Sequence, residues 1–498
     1  MNYIQGEKRE QIRIESIESY VEEDGEVRVI DLIIDKMDIE SLGFKVPNNK
    51  ITGRPAFSPK DLLKLYVYGY FNGIRSSRKL AKSCIINKEV IWLLKDLKPK
   101  YRVISNFRKD NIDALEKLFN NFVLYCMELG LYGKELIAID GTKLEASASK
   151  RKHYSKNKLA KMKEIVKSKI KEYFHDISMA DELDDDCKEK CNLLRADIKK
   201  LTKKLDYYID LEKQMDESGE NEINLTDSDA RTVKFGAHQG TDVGYNVQAV
   251  VDGKNKLITT FEVANFSADQ GQLYNMANKA KKIYDVDKLE ALADKGYFDS
   301  KDIAKCDAEN IITYVSKPVY SNQIGDSRYF TNKFKYDKDS DIYTCPEGKT
   351  LFLITKKADA QKKEYRNSDT CNQCTNRGKC TKSKSGKSIF RNEFSDNIDN
   401  MVARIDNDKS KYSQRKSIVE HPFETIKRSM NFTYSLLRNL TKVKGEIRLA
   451  FFSYNFKRVI NILGAKEIIE SLYLILYKIK EELDSKIYRI TLYNMIKI

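Results

Sequence analysis

Apolar positions over roughly the first 130 residues recur at helical spacing. In "FSPKDLLKLYVYGYFNG", Ser58 stands as N-cap and Pro59 at the first helical position, a helix start signal. "SRKLAKSC", "NKEVIWLLKDL" and "SNFRKDNIDALEKLFNNFVLYCMELGL" continue the pattern. From residue 135 the period shortens. In "ELIAIDGTKLEA" the run Leu136 to Ile139 predicts a buried strand ending on Asp140, with a second strand through "TKLEA". Residues 148–226 return to helical spacing in two charged arms, which predicts an inserted helical hairpin. "GYNVQAVVDGKNKLITTFEVAN" predicts a β-hairpin turning at "DGKN". A helix ("QGQLYNMANKAKKIYD"), a strand from Leu289 to Ala293 running into Asp294, a helix from about Ser300 and the strand "NIITYVS" follow. Residues 318–400 are polar and rich in Lys and Cys, and from about 408 to the end the chain reads as helix. The class is α/β, divided into a helical N-terminal domain (1–130) and a second domain (131–498) that carries both insertions.

Composition narrows the partners. With 41% hydrophobic and 33% charged residues the chain suits a folded globular protein. No apolar run reaches the roughly 20 residues of a membrane span, and the acidic, polar N-terminus is unlike a secretory signal, so a cytoplasmic protein with no membrane partner is expected. Lys and Arg total 89 against 74 Asp and Glu, a net +15 that favours nucleic acid. A general bias toward Lys, Ile, Asn and Tyr accounts for part of that excess. Arg75, Arg78, Lys79, Lys82, Arg102, Arg108 and Lys109 are distributed among the short N-terminal helices; they suit a helix-turn-helix-like DNA module or the solvated face of a helical bundle. Ten Lys and Arg between Lys150 and Lys171 make the first arm of the hairpin a further phosphate track.

Asp140 and Asp294 each end an apolar strand, where an open α/β sheet hands side chains to a crevice. Two carboxylates brought together repel by several kcal/mol unless they share a proton or bind a cation, and oxygen ligands suit Mg²⁺ or Mn²⁺. A third carboxylate is expected in "KYSQRKSIVEHPFETIKRSMN", where Lys427 lies two helical turns beyond Glu420.

The ordered set "GRPAFSPKDLLKLYVYGYFNGIRSSRKLAK", "KYRVISNFRKDN", "AIDGTKLEA", "DSDARTVKFGAHQGTDVGYNVQAVVD", "SADQGQL", "ALADKGYFDS" and "KYSQRKSIVEHPFETIK" resembles the DDE transposases of bacterial insertion sequences, most closely the insertion sequence eleven-eighty-two family. The resemblance implies an RNase H-like catalytic core in which Asp140, Asp294 and Glu420 bind two Mg²⁺ (or Mn²⁺) ions for in-line phosphoryl transfer. It implies DNA cleavage and strand transfer on double-stranded DNA, with terminal inverted repeats and a target as partners, a synaptic homodimer, and a bacterial, nucleoid-associated location. Tyr412, Arg415 and Lys427 are then phosphate contacts. The glutamate block departs from the family: four residues rather than three separate Arg415 from Glu420, with Lys416 in the expected place. Pro422 should kink or restart the helix, and Glu424 is a second carboxylate nearby. A catalytically inactive DNA-binding derivative and a nuclease that cuts without joining are the alternatives.

"TCPEG" and "CNQCTNRGKC" supply Cys345, Cys371, Cys374 and Cys380, a four-thiol set of the kind structural Zn²⁺ takes; a redox Cys-x-x-Cys is the alternative. A coreless insertion would need such a staple. Cys84, Cys126 and Cys306 read as small buried apolar residues. His153, His175, His238 and His421 are too dispersed for a catalytic set, and Arg231 and Gln248, though in resembling blocks, carry no specific mechanism.

Overall fold

The computed structural model describes residues 3, 9–45, 55–181, 188–236, 240–265, 268–321, 324–354 and 362–471. His238 and residues 472–498 of the expected C-terminal helix lie outside the described residues. The chain opens with helices α1 (Glu26–Lys36), α2 (Pro59–Phe71), α3 (Ser77–Ile86), α4 (Lys88–Leu93), α5 (Tyr101–Asp110) and α6 (Ile112–Glu128). Ser58 caps α2, its hydroxyl accepting from the Lys60 N–H at 3.2 Å, with Pro59 in the first turn as the sequence predicts. Being apolar on nearly every side, α2 is buried all round. Even Lys64 is enclosed, compensated by Asp31 at 2.6 Å and Asp35 at 2.7 Å.

Strand β1 (Leu136–Glu145) begins the central sheet. The excursion that follows comprises β2 (His153–Ser155), α7 (Lys156–Asp181), α8 (Lys188–Ser218) and β3 (Glu222–Asn224), with its own small apolar cluster of Leu159, Val166, Tyr208, Leu211 and Met215. The chain then returns through β4 (Arg231–Gly236), β5 (Gly240–Asp252), β6 (Ile258–Ala264), α9 (Leu273–Tyr284), β7 (Leu289–Ala293), α10 (Ser300–Ala308) and β8 (Ile311–Val315). The sheet runs β4-β5-β1-β7-β8, with β6 also on β5; β5 is antiparallel to β1, whereas β7 and β8 are parallel to it.

One expectation is corrected here. The chain does not form a strand ending at Asp140 and a second one after it. β1 is continuous because β5 pairs with it from Ile137 to Glu145. What ends is the parallel partner: the β1–β7 pairing stops at Ile139 opposite Ala293. Position 140 therefore lies in mid-strand, at an edge that opens where β7 stops.

Strands β9 (Lys335–Asp337), β10 (Ile342–Thr344), β11 (Thr350–Leu353), β12 (Lys362–Arg366) and β13 (Ile389–Asn392) form a second sheet, with α11 (Ser368–Asn372) and α12 (Arg377–Cys380) between the last two. This segment is not coreless: Phe334, Tyr343, Leu351, Tyr365 and Ile389 pack together. Helices α13 (Ser395–Asn407), α14 (Lys409–Glu424) and α15 (Leu440–Leu463) complete the described chain. Pro422 does not restart α14, since its fixed φ suits a helix; the helix runs on to Glu424 and becomes a π-turn over Thr425–Ser429.

The N-terminal helices share one core with the sheet and α15. Phe71 and Phe122 meet Phe456 at ring-centre distances of 5.8 and 5.6 Å. Beside them Glu446, fully buried, accepts from Arg75 at 2.9 Å and faces Arg108 at 3.7 Å. Its other oxygen accepts from the N–H groups of Leu436 and Leu437 at 3.0 and 3.1 Å. Arg75 also donates to the carbonyls of Asn431 and Tyr434. Arg75 and Arg108 are thus buried ligands of a glutamate and leave the set of exposed basic residues; Arg78, Lys79, Lys82, Arg102 and Lys109 remain exposed. Glu446→Gln should lower the unfolding free energy by ~3–5 kcal/mol, because it strands two buried guanidinium groups. Urea denaturation checks this, and a loss under about 1 kcal/mol would mean that the cluster does not hold these elements together.

Candidate active site

The break in parallel pairing places two carboxylates side by side. Ile139 pairs with Ala293, so Asp140 and Asp294 are the next residues on adjacent strands. The Asp294 side chain caps the short 3-10 turn Lys295–Tyr297, its Oδ1 accepting from the Gly296 N–H at 2.7 Å. Asp140 accepts from the Gly141 N–H at 2.8 Å and faces the Arg415 guanidinium at 3.5 Å. Burial pushes Asp140 up to about 6; Gly141 and Arg415 oppose that shift, while Asp294 and Asp269 add to it.

Helix α14 and its π-turn cover this edge from one side. Arg415 reaches Asp140 from α14, and Lys427 lies within its electrostatic reach from the π-turn. Burial lowers the Lys427 pKa and Asp140 draws it back up. Tyr412 is half-buried against the main core. Among the described residues Glu420 makes no hydrogen bond or ion pair with this group. It is exposed, and among the described residues its side chain has no hydrogen-bond or ion-pair partner. Glu424 is exposed as well and pairs with Arg428 at 3.4 Å. The π-turn supplies the physical reason: seven residues that cross from α-helix into π-turn no longer make two α-turns, so Lys427 and Glu420 need not share a face.

Asp269 was not singled out by sequence reasoning, although it lies within "SADQGQL". Its Oδ1 accepts from Lys143 Nζ at 2.9 Å, Asn246 Nδ2 at 2.9 Å and Gln248 Nε2 at 2.7 Å. A lone aspartate in a loop gives no local signal; its donors come from two strands. Three other residues noted in the sequence are bonded to protein groups. His421 shares a hydrogen bond with Tyr454 Oη at 2.9 Å. His153 bonds Glu222 and Thr232. Arg231 donates to the carbonyls of Ser228 and Ala230 and pairs with Glu220 at 3.1 Å. Cys84, Cys126 and Cys306 are buried, as expected.

The donors at the sheet edge are carboxylate oxygens, the class that hard divalent cations take, and a buried Asp140 next to two further carboxylates lacks full cationic compensation. The donor chemistry fits such a cation. Among the described residues no group of three or more His, Cys, Asp or Glu is assembled into a metal site, so the fit rests on the paired aspartates. The four cysteines nevertheless converge. Cys345, Cys371, Cys374 and Cys380 line one cavity of about 30 Å³, and the Lys349 N–H donates to Cys345 Sγ at 3.3 Å. Burial pushes the Cys380 thiol up to about 11, with the other three thiols adding to the shift.

Two segments of the chain match known families. Residues 344–460 match the family "Transposase DDE domain", and residues 15–110 match "Transposase domain (DUF772)". Two segments of the chain therefore match transposase families, which supports a transposase. A DDE domain implies dependence on a divalent metal. The DDE match takes in the four cysteines, Tyr412, Arg415, Glu420 and Lys427, whereas Asp140 and Asp294 fall outside both matched segments. No curated protein matches the chain. Among solved structures it is similar to a chain of the piggyBac transposase synaptic complex with hairpin DNA, determined by cryo-EM, at 9% identity. That likeness covers 90% of this chain and 80% of the other at a TM-score of 0.32, too slight to bear on fold or function. Among the described residues no helix is long and apolar enough to cross a membrane.

The electrostatics of Asp140 predict a pH effect. Folding raises its pKa to about 6 from an ordinary value near 4, so its cost is absent at low pH, grows as pH rises through that window and is full above it. Without divalent cations, stability should fall by on the order of 3 kcal/mol across the window, and Asp140→Asn should remove that slope. Urea midpoints measured in EDTA at the two ends of the window check the prediction; identical slopes in wild type and variant would refute it.

Proposed function

We propose that this transposase binds the terminal inverted repeats of an insertion sequence and catalyses metal-dependent cleavage and joining at its ends, on an RNase H-like core. The carrying observation is the pair Asp140 and Asp294, adjacent at the edge where β7 stops, with Arg415 and Lys427 brought over them. The mixed sheet and the carboxylate chemistry support this reading. Asp140, Asp294 and Glu420 would hold two Mg²⁺ or Mn²⁺ ions, which when bound acidify the attacking hydroxyl or water and stabilise the leaving oxygen. Arg415, Lys427 and Tyr412 would bind phosphates beside the scissile bond, and the Arg415 guanidinium would meet them with paired donors. Exposed Arg78, Lys79 and Arg102 on α3 and α5 would contact end DNA, and two copies of the chain would hold the two ends together.

Asp140→Asn and Asp294→Asn should each abolish cleavage of end-bearing DNA in Mg²⁺ or Mn²⁺ while leaving end binding intact; neutralising Arg78, Lys79 and Arg102 together should weaken end binding itself, and cleavage only through it. Cleavage assays beside gel-shift titrations separate the two, and full cleavage by either aspartate variant would sink the assignment. Glu420→Gln should also abolish cleavage and Glu424→Gln should retain it. The opposite pair of results would transfer the third carboxylate to Glu424.

The cysteine cavity is proposed as a structural Zn²⁺ site, supported by four sulfur donors around one small space. Elemental analysis of protein purified without chelator should find about one Zn²⁺ per chain, lost in the Cys371→Ser, Cys374→Ser double variant. Metal-free protein would rule the site out.

A further inference from the structure

Gln248 lies in the middle of β5, among residues from Tyr245 to Val251 that are buried throughout. A polar amide there costs several kcal/mol unless every group is paired, and an apolar side chain would serve packing better. Every group of this amide is paired. Gln248 Nε2 donates to Asp269 Oδ1 at 2.7 Å and to Asn246 Oδ1 at 2.9 Å, and Gln248 Oε1 accepts from the Tyr297 hydroxyl. Asn246, Gln248 and Tyr297 are wholly buried. Lys143 and the two amides together satisfy Asp269 Oδ1.

Tyr297 is the last residue of the turn that Asp294 caps. The network therefore ends three residues from one active-site carboxylate and begins beside the other. A Cβ on Gly141, next to Asp140, would lie 2.5 Å from Gln248 Nε2 and 3.0 Å from Asp269 Oδ1. On the turn itself, a Cβ on Gly296 would lie 2.9 Å from Asp294 Oδ1 and 3.7 Å from Asp269 Oδ2. Both glycines give the amide and the carboxylates room to approach.

We propose that the relay Asp269–Gln248–Tyr297 is a positioning device that fixes the Asp294 turn against β1 and so sets the separation of Asp294 from Asp140. It rests on the active-site reading above and adds Gln248 and Tyr297, whose hydrogen bonds run to protein groups alone. Outer hydrogen-bond partners of this kind govern ligand orientation, and their loss costs about 10–100-fold in metal affinity or activity.

Tyr297→Phe and Gln248→Met test it on the full chain, with Asp294→Asn as reference. The expected result is a fall of about 10–100-fold in kcat for end cleavage, with KM for end DNA unchanged. A matching loss of Mn²⁺ affinity is expected in the DNA-free protein, read by electron paramagnetic resonance. Tyr297→Phe removes one oxygen from a packed ring and carries the test should Gln248→Met not fold. Wild-type kcat and Mn²⁺ affinity in Tyr297→Phe would overturn the relay. So would a lowered Tm with kcat per folded molecule unchanged, the mark of a merely structural role. If Asp294→Asn loses both properties while Tyr297→Phe keeps them, only the relay falls; if Asp294→Asn keeps them too, the active-site reading falls with it.

Discussion

Glu446 is the point on which the arrangement turns. Its carboxylate is fully buried between Arg75 and Arg108, and its second oxygen holds the backbone at Leu436 and Leu437. The backbone just before that, at Thr433 and Ser435, hydrogen-bonds to Glu145 at the end of β1, at 3.2 and 2.8 Å. One carboxylate thus connects the N-terminal helices, helix α15 and the strand carrying Asp140. The same stretch leads directly from the π-turn, so the placement of Lys427 over Asp140 depends on it. A buried ion cluster is a poor source of net stability compared with apolar packing. Its contribution here is geometric: the guanidinium donors accept only one register of the 431–437 backbone.

At the sheet edge the balance of charge is uneven. Asp269 is satisfied by Lys143 and two amides, and Asp294 by the N–H of its own turn. Asp140 has one backbone donor and an arginine at 3.5 Å, longer than a good charge-assisted hydrogen bond. Burial makes Asp140 the costliest of the three to charge, and Asp140 is the one that Arg415 and Lys427 face. A phosphate entering here would meet two cations beside a carboxylate that gains from a cation of its own. On the proposed reading, substrate and metal would then lower each other's electrostatic cost.

How much of this the sequence discloses depends on how local each cause is. The Leu289–Ala293 strand and Asp294 are legible because an apolar run and its end lie within six residues. The cap of α2 is legible for the same reason. Asp140 is legible, but its setting is not, because the edge it occupies is made by the end of β7 and not by the end of its own strand. Arg75 and Arg108 looked like part of a DNA-facing set because their partner, Glu446, is more than 300 positions away. The π-turn that separates Lys427 from Glu420 has no signature in "HPFETIKRSMN" beyond a proline that the helix tolerates. Strand β4 passed unnoticed because its pairing with β5, rather than its short alternation, makes it a strand.

The two segments that match transposase families are not independent modules laid end to end. Arg75 and Arg108 belong to the first, Glu446 to the second, and both carboxylates of the sheet edge lie between the two in sequence. Cutting the chain after the N-terminal helices would leave Glu446 buried without either guanidinium and would strip Phe452 and Phe456 of Phe122. An unpaired buried charge and a lost aromatic face each cost several kcal/mol, together comparable to the whole stability of an ordinary domain. Any division of labour between end recognition and catalysis therefore has to be resolved by substituting exposed side chains on α3 and α5. Truncation would remove the clamp that holds α14 over Asp140 along with the surface it was meant to test.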